Sequence, residues 1–194
     1  SQESGFSIAT YTGNGSSGAT VGHGVNKIPS MVITKGTTGS AGATNWNVYT
    51  SATGPTKKLV LNSNAAEATN TTYWNNTAPT ASVFSLGTTG DSNYNGSNYV
   101  AYCFANIDGY QRIGSYVGNA TNTRIYTGFE PAWLLVKSLS STNTWWIVDN
   151  KRDTETNLFL KNSTNNDSPL LHFFIERYAE AFRLQLSDLS LIHI

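Results

Sequence analysis

Apolar and polar residues alternate with a period of two in six short runs: Phe6 to Tyr11, Ser30 to Thr34, Trp46 to Tyr49, Lys58 to Leu61, Ser82 to Leu86 and Tyr99 to Phe104. Alternation of this kind puts successive side chains on opposite faces of a pleated strand, so each run predicts a strand with one face in a core. The runs are separated by Gly13-Asn14-Gly15, Gly87-Thr88-Thr89-Gly90-Asp91 and Asn95-Gly96. Those residues supply the tight turns that join antiparallel strands. Ser63-Asn64-Ala65-Ala66-Glu67-Ala68 leans toward helix but is too short to hold one alone, and predicts a helical turn or a loop.

The second half of the chain echoes the first. Gly5-Phe6 returns as Gly109-Tyr110, and Tyr11-Thr12-Gly13-Asn14 as Tyr116-Val117-Gly118-Asn119. Ile28 to Lys35 matches Glu130 to Lys137 on the proline and the lysine; Trp46-Asn47-Val48 matches Trp145-Trp146-Ile147, and Leu59-Val60-Leu61 matches Leu158-Phe159-Leu160. Five collinear matches with gaps confined to loops predict a duplicated unit. The expected fold is all-β, an antiparallel β-sandwich-like (jelly-roll or lectin-like) arrangement of two related repeat units, the second incomplete. The expected organisation is a first repeat unit over residues 1–108, a truncated second unit over 109–168 and a doubtful tail over 169–194.

The tail is set apart by composition. Residues 169–180 contain no Thr, Asn or Gly and show a helix-like apolar spacing. Leu189-Ser190-Leu191-Ile192-His193-Ile194 reads like one frame of a transposon end used in preparing sequencing libraries, so the tail is expected to be an assembly artefact on a metagenomic fragment. A genuine helix capping a β-domain is the other reading. The chain starts at Ser1 with no initiator Met or charged-then-apolar leader, and reads as a fragment.

Composition narrows the function classes. Among 194 residues, 12 Lys+Arg balance 12 Asp+Glu, leaving no basic surface with which to displace counterions from nucleic acid. Five Trp and ten Tyr provide apolar area for a core within a polar surface of Thr, Ser, Asn and Gly. No apolar run is long enough to span a membrane as a helix. The single cysteine, Cys103, lies in an alternating run that would bury it, and no disulfide can form within the chain. Stability is then expected to come from the core, from partner chains, or from both.

Motifs of chemistry are weak. Gly13-Asn14-Gly15-Ser16-Ser17-Gly18 has the spacing of a dinucleotide loop, but Ala19 to Gly24 cannot start the helix that would receive a pyrophosphate, so it reads as a hairpin turn and no cofactor is expected. Asp91 to Gly96 opens like a calcium loop, yet the position for a bidentate carboxylate is Tyr102; an Asx-rich loop is expected and no metal. His23 is the one candidate general base outside the tail, without a nucleophile elbow to serve. No catalytic residue is nominated and no enzyme is expected. The aromatic and amide residues carry more: Trp46, Tyr49, Tyr73, Trp74, Asn75 and Asn76 are ligand-binding candidates, because rings stack on sugars while amides bind hydroxyls. Of these, Trp46 is expected in the core, and Tyr73-Trp74-Asn75-Asn76-Thr77 at the surface as a platform.

Four segments are recognisable together and in order: Phe6 to Gly15, Val21-Gly22-His23-Gly24, Trp74 to Thr80, and Tyr99 to Ala105. Over residues 5 to 163 the chain resembles a domain of unknown function found in tail-fibre and other virion proteins of marine tailed bacteriophages, often beside concanavalin A-like lectin modules. The resemblance implies a non-catalytic virion module of a tail or fibre, extracellular, serving structure or host-surface recognition. Its implied partners are other virion subunits, copies of itself and a host surface glycan, with no nucleic acid and no membrane. A lectin-like module of a bacterial surface protein and, more remotely, a fragment of a polysaccharide-degrading enzyme are the alternatives. The family carries no assigned site residues, and the tail after Asp167 departs from its pattern.

Overall fold

The computed structural model describes residues 3–38, 44–118, 125–149 and 171–177. The chain divides into two compact units, Ser1–Asn62 with Glu67–Asn106, and Ser63–Ala66 with Ile107–Ile194. The first contains β1 (Phe6–Thr12), β2 (Ala19–Gly22), β3 (Met31–Thr38), β4 (Asn47–Thr50), β5 (Lys57–Val60), β6 (Ala68–Thr69), β7 (Val83–Leu86), the helical turn α1 (Gly90–Asn93) and β8 (Asn98–Phe104). The second contains β9 (Gln111–Tyr116), β10 (Pro131–Ser138), β11 (Trp146–Asp149) and β12 (Leu171–Arg177). All pairings between these strands are antiparallel, so the protein is all-β as the alternation predicts.

In the first unit a six-stranded sheet runs in the order β1-β8-β3-β4-β5-β6, and β2 pairs with β7 in a small second sheet. Register is continuous across the centre of the large sheet: Cys103 lies opposite Ser7 and Val32, Ala101 opposite Ala9 and Thr34, and Tyr99 opposite Tyr11 and Gly36. Burial follows the alternation along β8, with Tyr99, Ala101 and Cys103 buried and Val100, Tyr102 and Phe104 half-buried. From that inner face Val32, Tyr49, Ala101 and Cys103 form one core cluster with Val21 of β2, Phe84 and Leu86 of β7, and the Tyr73-Trp74 pair. The result is sandwich-like. Full burial of side chains such as Phe84 and Leu86, both 1% exposed, stabilises by about 1.5–3 kcal/mol each.

All six runs predicted as strands are strands. β2 and β6 are additional: β2 buries a single apolar residue, Val21, and β6 has two residues, so neither leaves a periodic signal. Ser63 to Ala68 forms no helical turn; the Ser63 hydroxyl accepts from Ala65 N at 3.1 Å, a side-chain bond that competes with helix, and Ala68 opens β6. Among the described residues the helical turn is α1 instead, within the Asx-rich loop.

In the second unit the sheet order is β11-β10-β12-β9. Ile113, Leu134, Leu135, Val136 and Leu139 are buried. β12 overturns the helix-like reading for residues 171–177, since this segment pairs with β10 on one side and β9 on the other. Two open strand edges outweigh an apolar spacing that also suits helix, in a run whose aromatic and β-branched residues favour strand. Leu158-Phe159-Leu160 and Leu189 to Ile194 lie outside the described residues.

Candidate functional site

At one end of the first unit, polar side chains of the core hold α1 against the sheet. Thr89 caps the turn, its Oγ1 accepting from Asp91 N at 3.4 Å. The Tyr11 hydroxyl donates to Ser92 O at 2.8 Å, and the Tyr99 hydroxyl donates to Gly90 O at 2.7 Å while accepting from Tyr94 N at 2.9 Å. Asn47 Nδ2 donates to Asp91 O at 3.2 Å. Tyr73 gives its proton to Asp91 Oδ2 at 2.6 Å and accepts from Lys58 Nζ at 3.1 Å, with the same ammonium 4.6 Å from its ring centroid. Burial and then the bond to Asp91 hold the Tyr73 hydroxyl well above its usual pKa, so it stays a donor. Tyr11 is likewise raised, by burial and by its neighbour Tyr99, with which it stacks at 5.1 Å.

Asn93, fully buried, fastens the neighbouring loops to this turn. Its Oδ1 accepts from Asn14 N at 2.9 Å, and its Nδ2 donates to Ser16 O at 3.0 Å and Gly87 O at 2.7 Å. Gly15 N donates to Asn93 O at 2.9 Å, and Ser17 Oγ donates to Asn75 Oδ1 at 2.6 Å. Contact is so close that a Cβ on Gly13 would overlap the Tyr94 carbonyl and one on Gly87 the Thr72 carbonyl. Glycine is required at both. The rigid end so formed presents exposed Asn14, Ser16, Ser17, Asn76 and Asn95 together with Tyr94, which is 46% exposed.

The sequence candidates divide between this end and the core. Asn76 is exposed and Asn75 half-buried, both in the left-handed conformation with φ of 51° and 52°. Tyr73 and Trp74 are buried, at 3% and 1% exposure, so the expected platform is not at the surface. The reversal at Asn75-Asn76 turns the preceding pair inward, where Trp74 packs edge-on against Tyr49 at 5.8 Å. Tyr49 is buried too. Trp46, expected in the core, is half-buried and stacks on Tyr102 with centroids 6.1 Å apart. Its backbone N donates to Asn62 Oδ1 at 2.9 Å. Sequence reasoning missed Tyr94, Asn95, Asn14 and the two serines as displayed groups; the signal was the string Asp91 to Gly96, read as a loop without asking which side its tyrosine takes.

His23 and Lys137 are engaged in structure. His23 is 2% exposed; its Nδ1 accepts from Val25 N at 3.2 Å, which assigns the proton to Nε2, 3.1 Å from Thr80 O. The Ser7 hydroxyl donates to the His23 carbonyl. Both ring nitrogens are thus spent on backbone. Asn93 points into the fold, and its side-chain oxygen cannot serve as a calcium ligand beside Asp91. Among the described residues no three His, Cys, Asp or Glu group as metal ligands, and no helix is long and apolar enough to cross a membrane. In the second unit Lys137 is fully buried, donating to Asn64 O at 3.2 Å, Ser138 O at 3.0 Å and Asn143 O at 2.7 Å. Burial outweighs those carbonyls and lowers its pKa to about 8.

No curated protein and no solved structure matches the chain. One family model does, over residues 1–171, which span both units. The chain therefore belongs to the family described as a domain of unknown function, DUF7483.

Proposed function

We propose that the protein is a non-catalytic module of a bacteriophage virion, carried on a tail or tail fibre outside the cell, where it contacts other virion subunits and a host-surface glycan. The observation that carries the recognition part is the loop end of the first unit: an uncharged set of exposed amides and hydroxyls beside one exposed aromatic ring, Tyr94, on a backbone fixed by buried tyrosines and Asn93. A rigid neutral surface of that kind suits a polyhydroxylated ligand, since little ordering is lost on binding and sugar hydroxyls find amide partners. Engagement of His23 and Lys137 with backbone supports a role without catalysis. The virion placement rests on the sequence resemblance.

The test is binding of the full chain to an array of bacterial surface polysaccharides, with Tyr94→Ala and Asn76→Ala as variants. Binding that both variants weaken is expected. No binding to any polysaccharide removes the recognition role and leaves a structural spacer. Tail genes flanking the parent gene are expected, and a metabolic operon in their place would overturn the virion assignment.

Duplication of one ancestral unit accounts for the architecture. The order β1-β8-β3-β4 has its counterpart in β9-β12-β10-β11. Ile8, Tyr102, Ile33 and Val48 lie opposite one another in the first sheet, as Ile113, Phe174, Leu135 and Ile147 do in the second. These are the positions that the sequence matches at Tyr11 and Tyr116, Pro29 and Pro131, and Val48 and Ile147 bring into register. Lys35 donates to the carbonyl of Thr44, and Lys137 to that of Asn143; each acceptor stands four residues before the matched Val48 or Ile147. In this reading β12 takes the place of β8 and residues 171–177 belong to the second unit. Truncation after Asp167 then unfolds that unit, as hydrogen exchange across β9 and β10 would register; unchanged protection would separate residues 171–177 from the domain.

A further inference from the structure

We propose that Asn14-Gly15 and Asn95-Gly96, the two Asn-Gly pairs of the chain, are deamidation sites that the fold locks against each other, so that one local opening exposes both to conversion into aspartate and isoaspartate. Both asparagines and both glycines are exposed, so water and hydroxide reach them. Each pair is held by the loop that carries the other. Gly96 N donates to Gly13 O at 2.9 Å, and Gly15 N donates to Asn93 O at 2.9 Å. Gly13 N donates to Ser97 O at 2.8 Å, and Asn14 N to Asn93 Oδ1 at 2.9 Å. These four bonds join residues 13–15 to residues 93–97. The two loops touch as well: a Cβ placed on Gly15 would meet Asn95 Cβ at 3.6 Å.

The reaction begins when the backbone nitrogen after an asparagine gives its proton to hydroxide and attacks the side-chain Cγ. A bond forms between that nitrogen and Cγ, the side-chain nitrogen leaves as ammonia, and a five-membered imide results. Water then adds at either imide carbonyl and opens the ring, so that in sum an amide and water become an acid and ammonia. Glycine favours the attack because no Cβ stands in its path. In the folded chain each glycine N–H is donated to a carbonyl, which shields its proton from base and fixes its nitrogen. The acceptor for Gly96 N lies on the first loop and the acceptor for Gly15 N on the second, so parting the loops frees both nitrogens in one step. Local openings of this kind cost less than unfolding the whole unit. Asn14 keeps one bond within its own loop, Oδ1 accepting from Ser16 N at 2.9 Å, so each site is compared with its own rate in the unfolded chain. The product carries negative charge where two exposed amides stood, whatever this end of the unit binds.

Peptide mass spectrometry of the full chain follows conversion at the two sites, in native buffer and in concentrated urea at one mildly alkaline pH. Each site is expected to convert about ten- to a hundredfold more slowly in the native protein, and equal rates at either site overturn the inference. Hydrogen exchange of the wild type reads the opening directly. Protection of the Gly15 and Gly96 amides is expected to agree within about fivefold, and a wider gap means two independent openings and overturns the coupling. Asn93→Ala removes the side-chain bonds to Asn14 N, Ser16 O and Gly87 O but neither glycine's acceptor, and is expected to accelerate native conversion at Asn95 by the same factor as at Asn14. Acceleration at Asn14 alone, or at neither, overturns it; should the variant not fold, exchange in the wild type decides. Leu59→Ala, which truncates a buried residue of β5 outside these loops, is the control for global unfolding. An equal acceleration in that variant would place the reaction in the unfolded chain and overturn the local opening.

Discussion

Asn93 offers the sharpest test of how the exposed end is held. Asn93→Ala deletes three hydrogen bonds without touching a surface group. The Gly87 carbonyl bond lies wholly in the interior, so its loss leaves a buried acceptor unpaired, which costs about 1–3 kcal/mol. The bonds to Asn14 N and Ser16 O are partly buried, and water can replace them in part, so each contributes about 0.5–1 kcal/mol. The sum is about 3 kcal/mol, a large share of the roughly 5–15 kcal/mol that holds a domain together. For a unit of about a hundred residues this lowers the melting temperature by roughly 12–20 °C.

Thermal unfolding followed by tryptophan fluorescence is a suitable assay, because Trp74 is buried in the same unit. The control is Asn14→Ala, whose side chain makes one exposed bond to Ser16 N at 2.9 Å and whose loss costs about 0.5 kcal/mol. If Asn93→Ala shifted the transition no more than Asn14→Ala, the loops would be held by something other than this amide. The account of a preformed recognition surface would then fail with it.

Trp74→Ala is expected to destabilise the first unit by about 3–5 kcal/mol, by chemical denaturation, where removal of a surface platform residue would leave stability unchanged. Burial pushes the Cys103 thiol up to about 12 from 9.0, with the Ser7 side chain pulling the other way, so native protein should not react with a thiol reagent at pH 8. The unfolded chain loses that proton first, so the stability this group contributes is complete below pH 9 and falls away between pH 9 and 12; Cys103→Ala should flatten that part of the stability profile. Lys137 behaves in the opposite sense: lowered to about 8 from 10.5, it makes the unfolded state the better proton binder between those values, and its contribution to stability rises with pH across that window. The difference in unfolding free energy between wild type and Lys137→Met, followed from pH 7 to 10.5, should show the rise, and a flat difference would mean that the three carbonyls keep the ammonium charged.

The first unit's principal strands are legible because their signals are local. Alternation fixes which side chains of β1, β3, β4 and β8 share a face, and Gly-Asn clusters fix where the chain turns back. β2 fails that test, since Val21 alone marks its buried side and its identity as a strand comes from pairing with β7, more than sixty residues on. β12 fails for a similar reason: its composition suits helix and strand alike, and the decision lies with β9 and β10 on either side. Where neighbours distant in sequence decide, a window along the chain carries too little information.

The candidate site shows a second limit. Abundant Asn and Thr between Asn70 and Asn76 say that the chain reverses there, and they say nothing of which way Tyr73 and Trp74 face. The left-handed Asn75 and Asn76 settle it, sending the aromatic pair into the core and leaving amides at the tip. Tyr94 ends outside for the converse reason, because α1 is drawn down by Tyr11, Tyr73 and Tyr99 and the residue after it is carried past the rim. Aromatic content alone therefore misplaces the surface in this fold: its buried tyrosines work as donors that anchor a turn, and the groups left to meet a ligand are those the anchoring pushes out. An asparagine does for the loops what paired strands do for the sheet, since one amide gives and accepts at once, and Asn93 closes three segments that no ladder of backbone bonds could reach.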